Sequence, residues 1–233
     1  MAQIIAAQND NGIVLAADSK AIEFDLDGNP VYLTVNRLLP LGERAAILAG
    51  GAAHTVDMAR SLQAFISGEG LTDVEDIYRA ALPYLGGEYE RFMRKECQTL
   101  HLDPLLYTYF ILAGYTDRDP GRPTRLYFLW NKKKLPQLDG DEIAQAFTVP
   151  RRIGLEAKLL RLSQTGATAE ELLSEARGAL NKLEASQDEI GGPYVFATLT
   201  ADGLYIADFV GITAPAAERD APKGQPEEWS QAA

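Results

Sequence analysis

Few side chains in this sequence fall into the patterns that catalysis or metal binding requires. There are two histidines, His54 and His101, and one cysteine, Cys97. Neither histidine stands at ligand spacing from the other or from Cys97, so no metal or cofactor site is expected. Cys97 follows Lys95 and Glu96 on an expected helix and reads as a structural thiol rather than a reactive one. His54 reads as a polar surface residue or a helix cap. The chain contains no Gly-x-Ser-x-Gly elbow, no His-Glu-x-x-His pair and no glycine-rich phosphate loop. The first hydroxyl side chain along the sequence is Ser19. The basic run Lys132-Lys133-Lys134 follows Asn131 and reads as a solvated turn.

Composition narrows the classes further. Of 233 residues 46% are hydrophobic, enough for a sizeable core, and 24% are charged. The net charge of −11 argues against a nucleic-acid or anionic-membrane surface. One cysteine permits no intramolecular disulfide, which fits a reducing compartment. The first residues lack the basic region of a signal peptide, and no stretch reaches the roughly 20 apolar residues that span a bilayer. A cytoplasmic protein is expected, without membrane or nucleic-acid partners.

Several elements must position whatever site exists. Residues 4–7 and 13–17 are apolar runs around Asn9-Asp10-Asn11-Gly12, a hairpin signal because Asn-Gly takes positive φ easily. Residues 21–26 and 31–39 flank a second turn, Asp27-Gly28-Asn29-Pro30. Residues 44–49 form a short strand ending at Gly50-Gly51. The period then changes: Val56, Ala59, Leu62, Phe65 and Ile66 recur at helical spacing over 53–66, with Gly68 and Gly70 as the stop. Thr72 and Glu75 form an expected capping box for a second helix, carrying Val74, Ile77, Tyr78, Ala81 and Leu82. Pro83 and Gly86-Gly87 are expected to kink or interrupt it before Phe92 and Met93. Strands are expected at 107–115, 124–130 and 147–149, with a loop at 117–123. Helices are expected at 155–162 and 168–186, the second with Thr168 and Glu171 as a capping box, and strands at 194–200 and 204–210. Hairpins in sequence imply antiparallel sheets in an α+β fold. From Thr213 the Ala, Pro, Glu, Lys and Gln content reads as a poorly ordered tail, with Trp229 within it.

The segment Gly12-Ile-Val-Leu-Ala-Ala-Asp18-Ser-Lys-Ala21 is similar to the second-strand motif of proteasome subunits and their bacterial relatives. Ala49-Gly50-Gly51-Ala52-Ala53 resembles that family's strand-to-helix turn. Leu112-Ala113-Gly114-Tyr115 with Leu126-Tyr127 resembles its central strands, and Gly191-Gly192-Pro193 with Thr200-Ala-Asp-Gly203 its last hairpin. The resemblance runs from about Ala2 to Val210, and order and spacing carry it more than any single motif. It implies the four-layer α-β-β-α sandwich of the N-terminal nucleophile hydrolases, with two antiparallel sheets, in one domain over 1–212 followed by a tail at 213–233. It also implies a homo-oligomer, in stacked rings, or a hetero-oligomer with an active paralogue.

Catalytic members of that family attack with an N-terminal threonine hydroxyl and use the α-amine as base. A lysine next to the amine lowers its pKa, and a glycine N–H serves the oxyanion. The motif aspartate corresponds to Asp18. Counting back sixteen residues from it lands on Ala2, which has no hydroxyl. The lysine corresponds to Arg37, allowing a short insertion at 27–30; an arginine does not titrate usefully. Gly51 corresponds to the oxyanion glycine and Asp188 to the supporting aspartate. The serine three positions on is Gly191, and another family serine falls near Arg152, beside Arg151. Each has a plain reading too: Asp18 as a strand-end cap or a partner of Arg37, Gly51 as a turn residue, Arg151 and Arg152 as interface or solvent residues. The resemblance thus implies a non-catalytic proteasome-family subunit with a scaffold, ring-forming or binding role. The alternative is an active peptidase or amidohydrolase whose native N-terminus or nucleophile differs.

Overall fold

The computed structural model describes residues 2–24, 29–51, 54–96, 108–131 and 138–210. The expectations for Ala52-Ala53, the Asp27-Gly28 turn, Cys97, His101, the lysine run and the tail with Trp229 fall outside these residues. Within them the fold is α+β, with two five-stranded antiparallel sheets, a two-stranded ribbon and four helices.

The strands are β1 (Ile4–Asn9), β2 (Gly12–Ala17), β3 (Lys20–Phe24), β4 (Pro30–Thr34), β5 (Leu38–Pro40), β6 (Ala45–Gly51), β7 (Thr108–Tyr115), β8 (Thr124–Asn131), β9 (Leu138–Glu142), β10 (Ala146–Val149), β11 (Tyr194–Thr200) and β12 (Gly203–Val210). The helices are α1 (His54–Glu69), α2 (Val74–Glu96), α3 (Ile153–Gln164) and α4 (Ala169–Glu184). One sheet has the order β10-β1-β2-β11-β12, the other β5-β6-β7-β8-β9, and β3-β4 forms the ribbon.

The central strands are nearly continuous apolar runs because both faces are covered. On β1, Ile4 and Ala6 meet Leu48 and Ile111 of the other sheet, whereas Ile5 and Ala7 share a core with Leu159, Leu172 and Leu180 of α3 and α4. On β6, Ala46 and Leu48 face the first sheet, whereas Ala45, Ile47 and Ala49 pack with Val56 and Leu62 of α1 and Ile77 and Leu85 of α2. The β1–β2 hairpin forms as expected, but Asn9 pairs with Gly12, so Asp10-Asn11 make the turn and Gly12 opens β2. At Gly12 φ is +142°, and a Cβ there would lie 2.3 Å from the Leu199 carbonyl oxygen, so no other residue fits without moving β11.

Several expectations change in the structure. The run at 31–39 is two strands, β4 in the ribbon and β5 in a main sheet. The break comes where the Val35 amide bonds back to Ser19 O and Asn36 Oδ1 takes the Leu38 amide, leaving Arg37 turned inward. Helix α2 runs through Pro83 and both following glycines without interruption. At its start, Asp73 Oδ1 accepts the Glu75 amide at 2.9 Å, so Asp73 caps α2 in place of Thr72. The Thr168–Glu171 capping box forms as expected. Strand β9 carries no strand signal in the sequence, since Leu-Asp-Gly-Asp-Glu has little β propensity; pairing with β8 imposes it.

Candidate functional site

The antiparallel pairing of β1 with β2 brings the start of the chain to Asp18. The Gln3 amide donates to Asp18 Oδ1 at 2.9 Å, and the Asp18 amide donates to Gln3 O at 3.2 Å. Ala2, one residue earlier, is 2% exposed. Across from it, Arg37 hangs between β4 and β5. Its carbonyl accepts the Ala49 amide of β6 at 2.8 Å, and its Nη2 donates to Lys20 O at 2.8 Å. Its Nε lies 3.9 Å from Asp18 Oδ1, with both side chains at most 1% exposed. Asp18 and Arg37, matched from sequence alone, are therefore a buried ion pair close to Ala2.

Burial pushes the Asp18 carboxyl up to about 6, with Arg37 and then the Gln3 amide holding it back. Burial lowers the Arg37 guanidinium, opposed by Asp18, yet an arginine stays protonated at neutral pH. A base that exchanges protons near pH 7 is therefore not what Arg37 provides.

Gly51 ends β6 at a φ of +95°. The neighbouring Gly50 pairs with Tyr109 of β7, whose hydroxyl donates to Ala2 O at 3.3 Å. Tyr109 is buried, and desolvation pushes its hydroxyl up to about 12, so it stays a neutral donor. Its ring lies over Gly50, where an added Cβ would come 2.1 Å from the ring edge. Sequence reasoning missed Tyr109, reading it as one more apolar position of a buried strand. The signal is the cross-strand pairing Gly50↔Tyr109, in which a glycine makes room for the ring; it needs the β6–β7 register to be seen.

Asp188 and Gly191 behave differently from each other. The Gly191 carbonyl accepts the Ser19 amide at 3.4 Å, so this glycine does border the site through its backbone. Asp188 is exposed, and it is its backbone oxygen that takes the Lys20 ammonium. Its carboxylate lines a neighbouring open cleft of about 390 Å³ together with Lys20, Tyr32, Thr34 and Glu184. Lys20 also sits 4.6 Å above the Tyr32 ring. Glu184 is already engaged by the Tyr194 hydroxyl at 2.6 Å.

Arg151 and Arg152, read from sequence as interface or solvent residues, are tied within the chain. Arg152 Nε donates to Gln3 Oε1 at 3.1 Å and its Nη2 to Gln187 Oε1 at 2.7 Å, so it braces the residue next to Ala2. Arg151 clamps Glu156, which also accepts the Thr148 amide and hydroxyl at 3.0 and 2.7 Å. These contacts fix the turn from β10 into α3. His54 is not a surface cap either. It stacks on Phe92 with centroids 3.4 Å apart, and its Nε2 lies 3.2 Å from Thr108 Oγ1. Burial lowers it to about 4, so it is neutral at pH 7.

As chemistry, the arrangement offers a buried carboxylate, a permanent cation, a methyl group and a buried phenol bonded to the Ala2 backbone. No metal can be held by three or more His, Cys, Asp or Glu among the described residues, and no helix there is long and apolar enough to cross a membrane. No protein-family model matches this chain, and no curated protein matches it.

Proposed function

We propose that this chain is a proteasome-related subunit that assembles but does not cleave. In this reading its two sheets and outer helix pairs are the four-layer sandwich of the N-terminal nucleophile hydrolases, and its contribution is to a ring or scaffold, built from copies of itself or shared with an active paralogue. The sequence likeness of residues 12–21, 49–53, 112–115 and 191–193 motivates the family. One observation carries the loss of cleavage: Ala2, buried beside Asp18 where the motif places the nucleophile, carries a methyl group and no hydroxyl. The nucleophile position thus lacks the oxygen that acyl transfer requires. Arg37 reinforces the reading, because a guanidinium cannot relay a proton as a tuned ammonium or amine does.

The test pairs activity with assembly. Homogeneous protein is assayed on a panel of fluorogenic peptides, with and without a threonine-directed epoxyketone, and its native mass is measured in the same preparation. Background hydrolysis, no covalent adduct and a discrete oligomer are expected. Turnover that co-purifies with the protein and is abolished by the epoxyketone would overturn the non-catalytic reading, and a monomer at all concentrations, alone and with co-expressed neighbours, would overturn the assembly role.

A further inference from the structure

The ion pair beside Ala2 is incomplete. Arg37 Nε and Nη1 and Asp18 Oδ2 have no hydrogen-bond partner among the described residues, and the adjacent Ser19 Oγ is likewise unpartnered. Arg37, Asp18 and Ser19 are almost wholly shielded from solvent. Buried polar atoms in native proteins find partners in the protein or in ordered water, and charged atoms suffer most when they do not. Two unpaired donors and an unpaired carboxylate oxygen within one pair therefore require a further hydrogen-bonding partner.

Closing the pair directly does not resolve it. The guanidinium is held from one side by the Lys20 carbonyl, and the Arg37 backbone is fixed to β6 by the Ala49 amide. The carboxylate is held by the Gln3 amide on Oδ1. The resulting Nε–Oδ1 separation of 3.9 Å is beyond a hydrogen bond but suits a bridging water. The burial of Arg37, Asp18 and Ser19 favours a small partner over an extended ligand. An anion would sit against the Asp18 carboxylate and a cation against the Arg37 guanidinium. A water accepts from one and donates to the other.

We infer that Arg37 and Asp18 form a water-bridged ion pair, with at least one internal water accepting from Arg37 Nε or Nη1 and donating to Asp18 Oδ2. The water is sealed in with the pair and exchanges only when this region opens. The inference rests on the unpartnered atoms alone and requires nothing of the proposed assembly role.

The experiment is a crystal structure at a resolution that resolves ordered water, from crystals grown with bromide in the buffer and measured at the bromine edge. The expected result is a peak within hydrogen-bond distance of both Arg37 and Asp18 Oδ2, without anomalous signal. An anomalous peak there would mean an anion and overturn the inference. So would continuous direct contact between guanidinium and carboxylate with no density between them. In solution, water magnetic relaxation dispersion on the same protein is expected to register a long-lived internal water that the Arg37→Met variant loses; should that variant not fold, the crystal result decides alone.

Discussion

At the level of single residues, the proposed non-catalytic reading rests on Ala2 and Arg37 together, so supplying a hydroxyl alone is not expected to create hydrolysis. Ala2→Thr, with removal of the initiator methionine checked by intact mass, supplies a hydroxyl but leaves Arg37 unable to take a proton. Peptide hydrolysis by this variant is expected to stay at the background of the unaltered protein. A rise of tenfold or more would mean that the methyl alone was the block. The identity of Gly50 follows from Tyr109. A Cβ at position 50 would lie 2.1 Å from the ring and 2.6 Å from Ile4 Cδ1. Gly50→Ala is therefore expected to destabilise the protein by about 1–3 kcal/mol in urea unfolding, the range for forcing a methyl into a packed core. Combining it with Tyr109→Leu removes the ring that the methyl meets, so the double variant should lose less than the sum of the singles. Strict additivity would show that the clash is with Ile4 instead.

Among the elements, α1 and β7 are joined by a group that titrates. His54 at the start of α1 stacks on Phe92 of α2 and shares a hydrogen bond with Thr108 of β7. Its folded pKa of about 4 lies below the unfolded value of 6.5, so the unfolded chain binds the extra proton first as the pH falls. The stability tied to neutral His54 is full above pH 6.5 and is lost on acidification down to about pH 4, by about 2–3 kcal/mol. Urea midpoints measured across this window should fall toward acid, and His54→Gln, which keeps a polar side chain but no proton site, should flatten that slope. An unchanged slope would place the acid sensitivity in other groups. The turn between β10 and α3 depends on Glu156 in the same way that α1 depends on His54. Glu156→Ala leaves the buried Thr148 amide and the Thr148 hydroxyl hydrogen without their acceptor, although the Arg152 amide still bonds the hydroxyl oxygen, and is expected to cost about 2–4 kcal/mol, while loss of an exposed glutamate costs little. How legible these elements were follows from the same physics. The β1–β2 hairpin and the α4 capping box could be read because turn and cap chemistry is local. Strand β9 and the β4–β5 break could not, since partners distant in sequence impose them: β8 on an acidic, glycine-containing segment, and Ser19 on Val35. At the site, the Asp18–Arg37 pair was legible through a familiar motif, whereas Tyr109 was hidden because its role lies in a cross-strand register.

For the whole molecule, the quantity that matters is charge. Each chain carries a net charge of −11, and the proposed assembly gathers many such chains at close range. Like-charge repulsion then opposes association at low salt, while burial of apolar surface favours it and is little affected by salt. The screening length is about 30 Å at 0.01 M salt and about 10 Å at 0.1 M, so the repulsion between neighbouring subunits is felt strongly in the first condition and weakly in the second. An assembly built this way should tighten as salt is raised from the low to the moderate range. Sedimentation velocity or mass photometry at a fixed protein concentration reads this directly, as a growing fraction of the large species. Internal ion pairs do not reverse the sign, because contacts such as Arg44–Asp117 and Arg118–Asp76 lie within one chain and are present in monomer and oligomer alike. Dissociation on adding salt would instead mean that the subunits are joined by complementary charges across the interface, and the apolar account of assembly would have to be abandoned.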